Sequence, residues 1–167
     1  SIPNVKMVEV KLSQGAKPGH GGILPGPKNT PEIAAIRNVK PGIDVLSPPG
    51  HSAFSDSKGL LIFVNELREL CRGKPTGYNL CMGKTSEFED ICKQIKDTGL
   101  YPDFIVIDGT EDGTGAAPLE FSERTGMPLY AALALAYNSI VKSDLKKHIN
   151  LIEMGSVLSG YEGAWVL

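Results

Sequence analysis

Apolar and polar positions follow two rhythms along this chain. Five short runs rich in β-branched residues have the length and content of buried strands: VKMVEVKLS (5–13), IDVLS (43–47), PTGYNLCM (75–82), DFIVID (103–108) and INLIEM (149–154). Between them the period shifts toward that of a helix. Leu60, Val64 and Leu67 recur at i, i+4 and i+7 and predict a helix from Ser57 to Leu70. Phe88, Ile91, Cys92 and Ile95 predict another, with Ser86 or Thr85 as its N-cap. NTPEIAAIR predicts a short helix capped by Thr30, with Pro31 at the first helical position. MPLYAALALAYNSIVKSDL predicts a helix apolar nearly all round and hence well buried, and SGYEGAWVL the start of one more. Strands alternating with helices imply an α/β fold of parallel strands and crossover helices. It is either a doubly wound sheet or part of a (β/α)8 barrel, in a single domain over residues 1–167.

In both architectures ligands sit at the carboxyl ends of the strands. Here those ends read QGAKPGHGG, SPPGHSAFS, GKTSEF, GTEDGTGAAP and GSVLSG, all rich in Gly, Ser, Pro and polar groups. A complete barrel has eight strands and about 250 residues. Five predicted strands are therefore expected to form an open arc, whose edges need cover from further barrel segments or from self-association.

Composition narrows the function classes. The 167 residues are 41% hydrophobic and 22% charged, with a net charge of -2, which argues against a nucleic-acid partner. Apolar runs stay short of the ~20 residues that cross a bilayer, so no membrane partner is expected. The first residues lack the layout of a signal peptide. Cys71, Cys81 and Cys92 are odd in number and lack CxxC spacing. They read as reduced thiols of a cytoplasmic protein, with no metal site expected.

Four segments carry candidate chemistry. The loop KLSQGAKPGHGGILPGPKNT holds Lys11, Gln14, Lys17, His20 and Lys28 among glycines, and matches neither the P-loop nor the GxGxxG pattern. It is either a long structural loop or a backbone shaped to grip an anion. SPPGHSAFS sets Ser47 at a strand end and His51 four residues on, without the GxSxG elbow. His51 reads as a general base or as a loop histidine bonded to backbone. DGTEDGTGAAP combines Asp108, Glu111 and Asp112 with Gly113, Thr114 and Gly115. It lacks oxygen-ligand metal spacing, and reads as the close passage of a flat or phosphorylated ligand, or as an acidic surface turn. EMGSVLSG places Gly155 and Ser156 before a predicted helix start, where barrels often bind phosphate.

Taken in order and at these distances, KLSQGAKPGHGGILPG, SPPGHSAFS and DGTEDGTGAAP resemble the FMN-binding synthase domain of the glutamate synthase family, most of all its short single-domain forms. The resemblance covers essentially the whole chain. It implies a (β/α)8 barrel with FMN at the strand carboxyl ends. Reduced flavin there delivers hydride to 2-iminoglutarate, formed from 2-oxoglutarate and ammonia, to give L-glutamate. By this likeness the chain spans roughly the third to seventh strands. The family's iron–sulfur cysteines then lie outside it, and Cys71, Cys81 and Cys92 are not cluster ligands. The resemblance assigns Gln14, Lys28 and Ser47, with Lys11 and Lys17 nearby, to the 2-oxoglutarate carboxylates. It assigns Asn79, Gly113, Thr114, Gly115, Gly155 and Ser156 to the cofactor, and leaves the catalytic residue unassigned.

Departures cluster on the same face. Asn79 stands where the family usually has lysine, Asp112 replaces a glycine, Gly50 stands where arginine is common, and EMGSV lacks another lysine. Each weakens the positive field that an anionic ligand meets. Two further readings stay open from sequence: a non-catalytic relative kept as a scaffold, and another FMN barrel such as a 2-hydroxy-acid oxidase, which the missing histidine pattern disfavours.

Overall fold

A computed structural model describes residues 3–113, 117, 120 and 124–155. Four strands, β1 (Val8–Lys11), β4 (Thr76–Cys81), β5 (Phe104–Asp108) and β6 (Asn150–Met154), form a parallel sheet in the order β1-β4-β5-β6. Two short strands, β2 (Ile23–Leu24) and β3 (Val45–Leu46), make a separate antiparallel ladder. The helices are α1 (Pro31–Arg37), α2 (Ser57–Leu70), α3 (Thr85–Thr98) and α4 (Leu129–Lys142), with one 3-10 turn at Gly26–Lys28. This is the α/β arrangement expected of an arc of a TIM-type barrel. No helix among the described residues is long and apolar enough to cross a membrane.

β4 and β5 are buried along their whole length, as parallel strands covered on both faces must be. One face is the main apolar core. Val10, Tyr78, Leu80, Ile105 and Ile107 pack there against Leu61 and Val64 of α2, Phe88 and Ile95 of α3, and Ala132 and Ile140 of α4. Burial pushes the Tyr78 hydroxyl far above its ordinary value and holds it neutral. Alternation turns Gly77, Asn79, Cys81, Phe104, Val106 and Asp108 to the other face. There a methyl on Gly77 would meet the Phe104 ring at 2.7 Å. Polar groups thus reach a buried surface on the side away from the helices.

Local signals account for the helix ends. Thr30 accepts a hydrogen bond from Ile33 N–H, and Pro31 opens α1. Asp56 caps α2 by accepting from Gly59 N–H at 2.6 Å. Gly99 closes α3 in the left-handed conformation, φ 67°. α3 starts at Thr85 with Lys84 in the capping position and no side-chain cap, so neither Thr85 nor Ser86 caps it.

Two larger expectations change. IDVLS does not join the parallel sheet; only Val45 and Leu46 form a ladder, with Leu24 and Ile23. Ile43 and Leu46 are 55% and 69% exposed, and Pro41, Pro48 and Pro49, which flank the run, have no N–H to give a ladder. The sheet therefore has four strands in place of five. α4 is not buried all round. Ala132, Ala136 and Ile140 face the sheet, while Tyr130, Tyr137 and Val141 are exposed on its outer side. The predicted helix start in SGYEGAWVL lies outside the described residues.

Candidate functional site

The loop between β1 and β2 folds over the carboxyl ends of the sheet and makes one wall of a cleft of about 490 Å³. The β2–β3 ladder and the end of α1 make the rest. Lys11, Gln14, Lys17 and Ser47 line this cleft together with His20 and Arg37. Lys17 is buried, whereas Lys11 and Arg37 are exposed. Ser47 N–H donates to the Gly22 carbonyl at 2.8 Å, and a methyl on Gly21 would sit 1.7 Å from the Ser47 carbonyl. Close backbone contact therefore seats the serine beside the glycine loop. Cationic and neutral donors converge on one concave space, the donor set a dicarboxylate requires. Ile23, Leu24 and Val45 supply an apolar wall.

Lys28 is not brought into this cleft. It ends the 3-10 turn, is exposed, and lies outside the lining. Arg37 enters instead, from the last turn of α1. Its only mark in the sequence was position, at the end of a helix that follows the loop. Asn29, also passed over, is 1% exposed and donates to the Lys40 and Ile43 carbonyls at 2.8 and 2.9 Å. Its main-chain carbonyl accepts from Gly42 N–H, so one asparagine shapes the chain on both sides of α1.

His51 takes the loop-histidine role. Its Nδ1 accepts from Ala53 N–H at 3.1 Å, and its ring stacks 4.6 Å from Phe54. Gly50 stands exposed with open space around its Cα.

A second set of polar groups sits on the inner sheet face at the ends of β4 and β5. Asn79 and Asp108 are fully buried and Thr110 is 4% exposed. Asn79 Oδ1, Asp108 Oδ1 and Thr110 Oγ1 have no hydrogen-bond partner among the described residues, an arrangement that is costly unless another group, a ligand or water answers it. Burial, and next the Asp112 carboxylate, push the Asp108 carboxyl up to about 6. Gly15 N–H, Lys11 and Asn79 oppose that rise. Burial pushes the Cys81 thiol up to about 11. Glu111 turns away to accept from Leu129 N–H, at the start of α4. Gly113 adopts φ 78°, and a methyl there would lie 3.7 Å from Gln14 Cβ, so the turn after β5 touches the cleft-lining loop. Gly155 follows β6 against Leu129. Thr114, Gly115 and Ser156 lie outside the described residues. Among the described residues no group of three His, Cys, Asp or Glu side chains is placed to hold a metal.

The family model described as a conserved region in glutamate synthase matches residues 1–165. The chain belongs to the glutamate synthase family. It is 35% identical over 158 residues to the glutamate synthase large subunit-like protein YerD of Bacillus subtilis, covering 95% of this chain and 30% of that protein. It is 34% identical over 151 residues to the archaeal glutamate synthase [NADPH] of Methanocaldococcus jannaschii, covering 90% and 29% respectively. A ferredoxin-dependent glutamate synthase of Antithamnion sp. matches at 33% over 161 residues, 95% of this chain and 10% of that protein. This glutamate synthase region thus spans less than a third of the length of these relatives.

Proposed function

We propose that this chain supplies the dicarboxylate-binding part of an FMN-dependent glutamate synthase, which makes L-glutamate from 2-oxoglutarate and ammonia by way of 2-iminoglutarate. The observation that carries the reading is the convergence of Lys11, Lys17, Arg37, Gln14 and Ser47 on one cleft at the carboxyl ends of the sheet. A dicarboxylate of five carbons needs two charged grips separated by an apolar stretch, and the cleft offers cations beside Ile23, Leu24 and Val45. Lys28, exposed and apart, is left out of the grip.

In this reading Lys17 and Arg37 hold carboxylates, while Gln14 and Ser47 orient the substrate by neutral hydrogen bonds. Ammonia adds to the keto carbon and water leaves, giving the imine. That carbon then takes a hydride, and the nitrogen a proton. Reduced FMN, were it held beside the cleft, would supply that hydride. The partnerless atoms of Asn79, Asp108 and Thr110 fit a polar cofactor edge on the inner face, and Gly113 allows close passage beside Gln14. The family resemblance assigns Thr114, Gly115, Gly155 and Ser156 to the same cofactor. The outer edges of β1 and β6, unpaired among the described residues, take neighbouring barrel segments or a second copy.

Calorimetric titration with 2-oxoglutarate tests the cleft. Binding is expected in wild type, with Arg37→Ala weakening it about 10- to 100-fold, the loss of one charge-assisted contact. Lys28→Ala is expected to leave affinity within about twofold. Equal affinity in wild type and the Arg37 variant would remove this cleft from consideration.

A further inference from the structure

The lysine-bearing loop and the turn after β5 meet backbone to backbone over the strand ends. Gly15 N–H donates to Asp108 Oδ2 at 3.1 Å, and Ala16 N–H donates to the Asp112 carbonyl at 2.8 Å. Cys81 N–H donates to Ser13 Oγ at 2.9 Å, and the Cys81 thiol lies 3.4 Å from the Gly15 carbonyl. The approach is closed to side chains, because a methyl on Gly15 would sit 1.6 Å from the Gly109 carbonyl oxygen. A backbone-to-backbone link needs no particular residue type. The Gly15–Asp108 link does, and it grips the loop between Gln14 and Lys17.

We propose that Asp108 is a positioning residue: by holding Gly15 it sets Gln14 and Lys17 in the cleft and ties them to the 109–113 turn, so that a dicarboxylate in the cleft is felt at the turn. A side-chain oxygen, carboxyl or amide, that accepts a backbone N–H in a buried site makes such a tie. A loop this long with little regular structure depends on such ties. Around Asp108 stand Lys11 from β1, Asn79 and Cys81 from β4, Asp112 from the turn and Met154 from β6, its register partner. None of these side chains duplicates the bond to Gly15. The latch stands on this geometry alone, while its coupling to substrate rests on the dicarboxylate reading above.

Amide hydrogen exchange read by NMR on the 167-residue chain, with and without 2-oxoglutarate, tests both parts. Gly15 and Ala16 are expected to be protected in wild type, and to exchange at least about tenfold faster in Asp108→Ala. Asp108→Asn, whose amide oxygen accepts the same hydrogen bond, is expected to match wild type. Added 2-oxoglutarate is expected to slow exchange at the 109–113 amides in wild type and Asp108→Asn but not in Asp108→Ala. The alanine variant should bind it about tenfold more weakly. If Asp108→Ala fails to fold, Asp108→Leu, which keeps the volume and removes the acceptor, takes its place. Wild-type protection of Gly15 in the broken variant overturns the latch. A wild-type chain that binds 2-oxoglutarate with no response at the turn overturns the coupling. A latched chain that binds no 2-oxoglutarate overturns the dicarboxylate reading and the coupling with it, leaving the latch supported.

Discussion

Replacing Asp108 with asparagine separates the charge of a buried side chain from its shape. Burial and the Asp112 carboxylate raise this carboxyl from its ordinary value of 3.8 to about 6. The folded protein therefore binds the proton more tightly than the unfolded chain. The stability this contributes is fully present below the unfolded value and is lost as pH rises through about 6. A displacement of about two pH units is worth about 3 kcal/mol between full protonation and full ionisation. Between pH 5 and pH 8 about half of it, about 1–2 kcal/mol, should be lost. Asparagine binds no proton in this range, so the variant escapes that loss. Urea unfolding of both proteins at pH 5 and pH 8 gives the comparison, read as the difference between variant and wild type at each pH. That difference is expected to move by about 1–2 kcal/mol in favour of asparagine as pH rises, whatever constant cost the new amide carries. A difference that stays level from pH 5 to pH 8 would refute the reasoning, because it would mean that Asp108 takes up no extra proton on folding.

Two other substitutions probe the scaffold behind the cleft. Asn29→Ala removes two buried hydrogen bonds to the Lys40 and Ile43 carbonyls. It should cost about 2–3 kcal/mol, read as a lowered urea midpoint, and an unchanged midpoint would show that α1 is held without it. Arg68 donates to Asp103 at 3.0 Å and to the Tyr101 carbonyl at 2.5 Å, joining α2 to the start of β5. Arg68→Ala should cost about 1–2 kcal/mol, less in 1 M salt because the ion pair is half-exposed. Equal loss at low and high salt would assign the effect to the neutral bond alone.

The sequence by itself determined what local periodicity and short motifs encode. The repeat of Leu60, Val64 and Leu67, and that of Phe88, Ile91, Cys92 and Ile95, states which residues share a helix face, and those residues do meet in the core. Thr30 and Pro31 marked the start of α1 because capping is a contact between near neighbours. The apolar, β-branched run of β5 announced a buried strand. The order and spacing of three glycine-bearing motifs were enough to point to the family.

Tertiary structure decided which segments pair and where the loops run. IDVLS has strand composition, yet strand pairing depends on a partner edge, and the prolines around it leave it only the two residues of β2. α4 looked buried from its apolar content, but only one of its sides finds the sheet. Lys28 lies outside the cleft lining and Arg37 within it, because the 3-10 turn carries one outward and the end of α1 carries the other to the cleft. Asp108 and Gly15 are 93 positions apart in the chain. No periodic signal connects them; they meet because the loop after β1 crosses the carboxyl end of β4 to reach that of β5 in the parallel sheet.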